Sequence, residues 1–193
     1  VPAPLMHQST DDFRYQIEVN LISVLIVTKA FLPLLGADRS RRGKPGRIIN
    51  MSSVSGKFGF PFIGAYVASQ HGLEGFSDSL RRELMLYGID VIVIGPGAIA
   101  TPIWDKADQV DLSMYANTEY VEPARRVQAF MIQNGRNGLP PEKVGEITWH
   151  ALTTPKPRVR YTIAPGNPIS RYIQMLLPKR LIDRLVAKNL GFK

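Results

Sequence analysis

The sequence predicts an α/β fold in which a doubly wound parallel sheet carries helices on both faces. Three observations predict it. Helical and strand patterns alternate along the chain, the strands are short and apolar, and glycines and prolines fall between the blocks. Alternation of this kind is the mark of crossover connections between parallel strands.

The first helix starts at Ser9-Thr10-Asp11-Asp12, where short polar side chains can take up the first unpaired N–H groups and acids face the positive helix end. It is expected to run from about Phe13 to Leu35, with Ile17, Leu21, Val24, Leu25, Thr28, Phe31 and Leu32 at helical spacing. A basic loop with glycine and proline, GADRSRRGKPG, leads to Arg47-Ile48-Ile49-Asn50-Met51, read as a strand buried on both faces. Ala65–Tyr87 has helical periodicity through Leu73, Phe76, Leu80 and Leu84, and Gly88 ends it. Asp90–Ile94 is the second buried strand, stopped by Gly95-Pro96-Gly97. An irregular stretch, about 101–139, holds one or two short helices, a further helix runs from Pro140 to about Thr153, and Arg158–Ala164 is a third strand. Residues 168–190 read as two short helices split at Pro178. Ligands in open parallel sheets lie beyond the carboxyl ends of the strands. Ser52-Ser53 and Pro96-Gly97 occupy two such ends and should line one crevice.

With 193 residues, 45% of them hydrophobic, the chain can bury one real core. The absence of cysteine excludes disulfides and thiolate metal sites, and the three histidines are too scattered to hold zinc. The net charge of +8 is concentrated in residues 155–193, where Lys156, Arg158, Arg160, Arg171, Lys179, Arg180, Arg184, Lys188 and Lys193 face one acid, Asp183. A local basic surface follows, and a nucleic-acid-binding body does not. The apolar run Leu21–Leu35 is interrupted by Lys29 and Pro33 and falls short of the ~20 residues of a membrane span, so none is expected.

The chemistry centres on two hydroxyls. Ser53 lies 13 residues before Tyr66, and Tyr66-Val67-Ala68-Ser69-Gln70 opens a helix. With Asn50-Met51-Ser52-Ser53-Val54-Ser55-Gly56, the segment from Gly72 to Leu84 (GLEGFSDSLRREL), and Pro96-Gly97-Ala98-Ile99-Ala100-Thr101-Pro102, this resembles the short-chain dehydrogenase/reductases. The retinol, hydroxysteroid and 3-hydroxybutyrate dehydrogenase branch is the most similar. The resemblance implies a Rossmann-like fold, of which this chain matches the C-terminal two-thirds. It also implies NAD or NADP as cofactor, and reversible oxidation of a hydrophobic secondary alcohol to a ketone. Residues 1–165 would form the catalytic core, with 101–139 over the substrate, and 166–193 a basic amphipathic tail of the same domain.

By the same resemblance Ser53 would hydrogen-bond the substrate oxygen, Tyr66 exchange its proton, and Asn20 hold a relay water. Tyr66, Gln70, Pro96, Gly97, Ile99 and Thr101 would hold the cofactor, the last with the backbone near Ile99 at the carboxamide. A tyrosine with its ordinary pKa of ~10 is a poor base at neutral pH, and the family corrects this with a lysine one turn on. Here that position is Gln70, which has no charge to stabilise phenolate. The family's Gly-rich dinucleotide loop is not among these residues. Weak or absent dehydrogenase activity is therefore expected, and the alternative is a non-catalytic relative that binds a partner or a lipid surface. A cytoplasmic homo-oligomer is the default expectation, with the 168–193 tail a candidate for peripheral contact with anionic membrane.

Overall fold

The computed structural model describes residues 3–166 and 176–192. Its sheet has three parallel strands in the order β1 (Arg47–Met51), β2 (Asp90–Pro96) and β3 (Arg160–Ile163). Ile48 lies opposite Val91, Asn50 opposite Val93, and Val93 opposite Arg160. β2 is therefore the central strand, and Val91, Ile92, Val93 and Ile94 are all buried. It runs two residues further than expected, because Gly95 and Pro96 pair with Thr162 and Ile163.

β1 departs from the expectation of a strand buried on both faces. Ile48 and Asn50 are buried, whereas Ile49 is half-buried and Met51 is 47% exposed. The inward residues meet α3 (Gly64–Glu83): Ile48 packs in a core with Leu80, Leu84, Ile89 and Val91, and Asn50 Nδ2 donates to Ser77 Oγ at 2.8 Å. Leu32, Leu35, Ala37 and Phe76 close that core from the side.

The first helix is continuous from Thr10 to Leu35 but not uniform. α1 (Thr10–Ile17) is capped by Ser9, whose hydroxyl accepts from the Asp12 amide at 3.0 Å. A π-helical turn follows at Glu18–Ile22, then α2 (Ser23–Phe31), then a 3-10 turn at Leu32–Leu35 that accommodates Pro33. This 26-residue helix is long and apolar enough to cross a membrane by length and composition, contrary to the expectation from Leu21–Leu35 alone. Its first half packs on α3. Its outer face leaves Ile22, Leu25, Ile26, Val27, Phe31 and Leu34 exposed.

The chain divides into two compact units, residues 1–97 with 142–163, and residues 98–141 with 164–193. α6 (Pro141–Thr153) belongs almost wholly to the first, where Arg47 of β1 reaches its last turn and donates to the carbonyls of Ala151 and Leu152 at 2.9 and 2.7 Å. The second contains α4 (Ile103–Asp108), a 3-10 turn at Ser113–Tyr115, and α5 (Val121–Arg136), so the 101–139 segment is more ordered than a loop with short helices. In that unit the Trp104 ring lies so close over Gly135 that a side chain there would overlap it. α7 (Lys179–Leu190) follows Pro178 as expected. The other expected tail helix, with Ile169, Arg171, Tyr172 and Ile173, lies outside the described residues.

An exposed apolar helix face beside an open strand edge favours association. Gel filtration with light scattering should show this 193-residue chain associating as its concentration rises. Replacing Ile26 and Phe31, each more than half exposed, by lysine should raise the monomer fraction at little cost in stability.

Candidate active site

Ser53 and Tyr66 are brought together by the turn between β1 and α3. The chain leaves β1 at Met51, and the Ser52 amide still bonds the Ile94 carbonyl at 2.7 Å, which carries the strand direction into the loop. Ser53 is extended and caps the short 3-10 turn Val54–Gly56, accepting from the Ser55 amide at 3.1 Å while its hydroxyl donates to the Pro96 carbonyl at 3.3 Å. Ser53 is thus tied to the end of β2, which brings the two strand ends together. Gly56 lets this loop lie against α3: a Cβ there would stand 2.7 Å from Ser52 Oγ and 2.8 Å from Glu74 Cγ.

Tyr66 sits in the first turn of α3, and Ser53 is the polar neighbour that acts on its phenol. Burial pushes the phenol above its ordinary pKa, and Ser53 pulls the other way. One turn on, Gln70 is only 6% exposed, and its Oε1 is buried without a partner. A buried carbonyl in that state costs about 1–3 kcal/mol. The next turn brings Glu74, also buried, which carries the charge that Gln70 lacks, with opposite sign. Lys57 Nζ, in the loop after β1, lies 3.0 Å from Glu74 Oε2 and pairs with that carboxylate. His71 points off this face, its Nδ1 3.0 Å from the Val67 carbonyl.

Asn20 lies in the π-helical turn, a distortion that recurs at functional positions. The Ser23 amide reaches five residues back to the Glu18 carbonyl, and the Ser23 hydroxyl takes up the Val19 carbonyl at 2.6 Å. Leu21, in the same turn, packs so tightly on Gly72 that a Cβ there would stand 2.8 Å from Leu21 Cδ2. Asn20 Nδ2 donates to Ser69 Oγ at 3.0 Å, and the fully buried Ser69 donates to the Tyr66 carbonyl at 2.8 Å. A polar chain therefore links Asn20 to the backbone of Tyr66.

Of the remaining expected residues, Pro96 and Gly97 close the first unit, with the Gly97 amide bonded to the Ile163 carbonyl at 2.7 Å. Ile99 and Thr101 open the second unit. There the Ile99 carbonyl accepts from Trp104 Nε1 at 2.7 Å.

Glu74, Ser69 and Arg160 were not among the expected site residues. Glu74 had a signal: an acid four residues after Gln70, between Leu73 and Phe76 on the apolar face of a helix, demands a buried cation. Arg160 had none, because its partners lie 86 and 107 positions away.

The raised phenol makes stability depend on pH with a definite sign. Below about pH 10 folded and unfolded chains both keep the Tyr66 proton. Above it the unfolded chain loses the proton first, so stability falls as pH rises through the folded-state value. Urea midpoints between pH 8 and 11 should fall less steeply for Tyr66→Phe than for the parent chain.

The family pattern described as short chain dehydrogenase matches residues 1–111. An NADPH-dependent 3-dehydrocapnine reductase from Ornithobacterium rhinotracheale is 35% identical over 97% of this chain, and human 17-beta-hydroxysteroid dehydrogenase type 6 is 32% identical over 94%. The chain spans 65% and 58% of the length of those two proteins. The structure of a short-chain dehydrogenase/reductase from Burkholderia phymatum in complex with NAD superposes on 95% of this chain, and the chain on 63% of it, with TM-score 0.71 at 18% identity, a likeness of fold. Matched over more than half its length by the family pattern, the chain belongs to the short-chain dehydrogenase family.

Proposed function

We propose that this chain is the catalytic part of an NAD(P)-dependent oxidoreductase that interconverts a hydrophobic secondary alcohol and its ketone, weakened by glutamine at position 70. The observation that carries the reading is buried Ser53, held at the carboxyl ends of β1 and β2, beside Tyr66 in the first turn of α3. A carbonyl that becomes an alkoxide needs a hydrogen-bond donor and a proton source at its oxygen. Tyr66 keeps its proton through neutral pH and gives it to that oxygen. The Ser53 hydroxyl, now donating to Pro96, turns to donate to the same atom.

The residues present fit the nicotinamide-ribose end of the cofactor. Gln70 Oε1 is a buried acceptor without a partner, which a ribose hydroxyl would satisfy. Tyr66 and Gln70 would hold that ribose beside Pro96 and Gly97, and the resemblance assigns the carboxamide to Ile99 and Thr101. When bound, the cofactor supplies or accepts the hydride. In the oxidising direction Tyr66 has to act as a base. Burial opposes that, and Gln70 brings no cation to offset it. The glutamine therefore weakens the site at the point where a phenolate is needed. The hydroxysteroid dehydrogenase among the relatives supports an apolar substrate.

A second reading is a non-catalytic relative that binds a partner or a lipid surface. The outer face of the Thr10–Leu35 helix and the basic, apolar-edged α7, where Leu181 and Leu185 are exposed among Lys179, Arg180, Arg184 and Lys188, favour it.

Two experiments separate these readings. In a chain that includes a dinucleotide-binding half, Gln70→Lys should raise alcohol oxidation roughly tenfold or more, one pKa unit at Tyr66 being worth about 1.36 kcal/mol; equal turnover in both versions would refute the impairment. In flotation with anionic liposomes, the lipid reading requires the full chain to rise and a chain lacking 168–193 to stay down, whereas the enzyme reading needs no such difference.

A further inference from the structure

The Arg160 guanidinium makes four hydrogen bonds to three partners at once. Its Nε donates to both oxygens of Glu74, at 3.0 and 3.1 Å. One terminal nitrogen bonds Thr162 Oγ1, and the other donates to the backbone carbonyl of Ser53 at 3.2 Å. To get there the side chain leaves β3, crosses the end of β2 over Gly95, and reaches the loop after β1. Gly95 permits the crossing, since a Cβ at that position would overlap the guanidinium. Arg160 is largely buried and Glu74 almost wholly so. Lys57, from the same loop as Ser53, completes the carboxylate's pairing.

We infer that Arg160 is the positioning residue for Ser53: anchored on Glu74, it holds the Ser53 carbonyl and so fixes the hydroxyl that faces Tyr66. The inference rests on Ser53 being the substrate-facing donor. Ser53 is extended, and its hydroxyl is held from two directions, accepting from the Ser55 amide and donating to the Pro96 carbonyl. A rotation of the peptide after Ser53 would carry that oxygen away from Tyr66. The guanidinium restrains this rotation, because a planar fork bound at both ends does not swivel as an ammonium does. Arg160 is therefore not interchangeable with lysine, although the charge would be kept.

The test uses the 193-residue chain, with no cofactor or turnover required. Arg160→Lys should speed exchange of the Ser55 amide at least tenfold while the amides of Leu73 and Leu80 in α3 keep their protection. With tyrosine labelled at Cζ, the Tyr66 resonance (assigned with Tyr66→Phe) should move in Arg160→Lys as it moves in Ser53→Ala, and the double variant should move no further than either one. Gly95→Ala, which pushes the guanidinium aside without altering it, should give the same exchange signature if Arg160→Lys folds poorly. An unchanged Ser55 amide, equal loss of protection throughout α3, or additive shifts at Tyr66 would each overturn the inference. Failure of the proposed oxidoreductase function would show in turnover alone and leave these signals as they are.

Discussion

A carboxylate that is 6% exposed cannot stand alone, and much of the described first unit is arranged around meeting that requirement at Glu74. The cations come from β3 and from the loop after β1, and the carboxylate itself from α3. Three segments far apart in the chain are thereby held at one point. Removing one partner of a buried pair leaves the other charge uncompensated, at a cost of about 3–5 kcal/mol. The pair contributes less to net stability than to uniqueness of arrangement. Apolar packing between α3 and β1–β2 would tolerate small slips along the helix, and the pairing of Glu74 with Arg160 does not.

The helix–strand order was legible because each element carries its own local pattern: apolar spacing in α3, an unbroken apolar run in β2, Gly88 after the helix. Ser53 and Tyr66 were legible through resemblance, their spacing and flanking segments matching the short-chain dehydrogenase/reductase pattern. What was not legible depended on the third dimension. β1 reads as doubly buried because isoleucine and methionine look alike whether or not anything covers them. The π-helical turn leaves no trace in the composition of Glu18–Ile22. Arg160 reads as one more basic residue of a positive C-terminal region, yet it faces inward while Lys179, Arg180, Arg184 and Lys188 face out. Charge counting treats these as equivalent, and burial separates them.

Gln70 shows how much a neutral amide alters a site without altering its shape. The residue keeps its place on the buried face of α3, between Tyr66 and Glu74. What changes is the electrostatic sequence along that face: a phenol, an unpaired carbonyl oxygen, then a carboxylate whose charge is already balanced by Lys57 and Arg160. The field at the phenol is set by burial and by one hydroxyl.

The passage of Arg160 over Gly95 has an evolutionary corollary. A glycine within a central strand is a poor choice for packing, even near the strand's end, and is kept where something else occupies the space. The two positions are therefore not independent characters. A lineage that shortened residue 160 would release residue 95 to acquire a side chain, and one that enlarged residue 95 first would displace the guanidinium. Substitutions at these sites, 65 positions apart, should enter and leave together in descent, so that historical change at one records the state of the other.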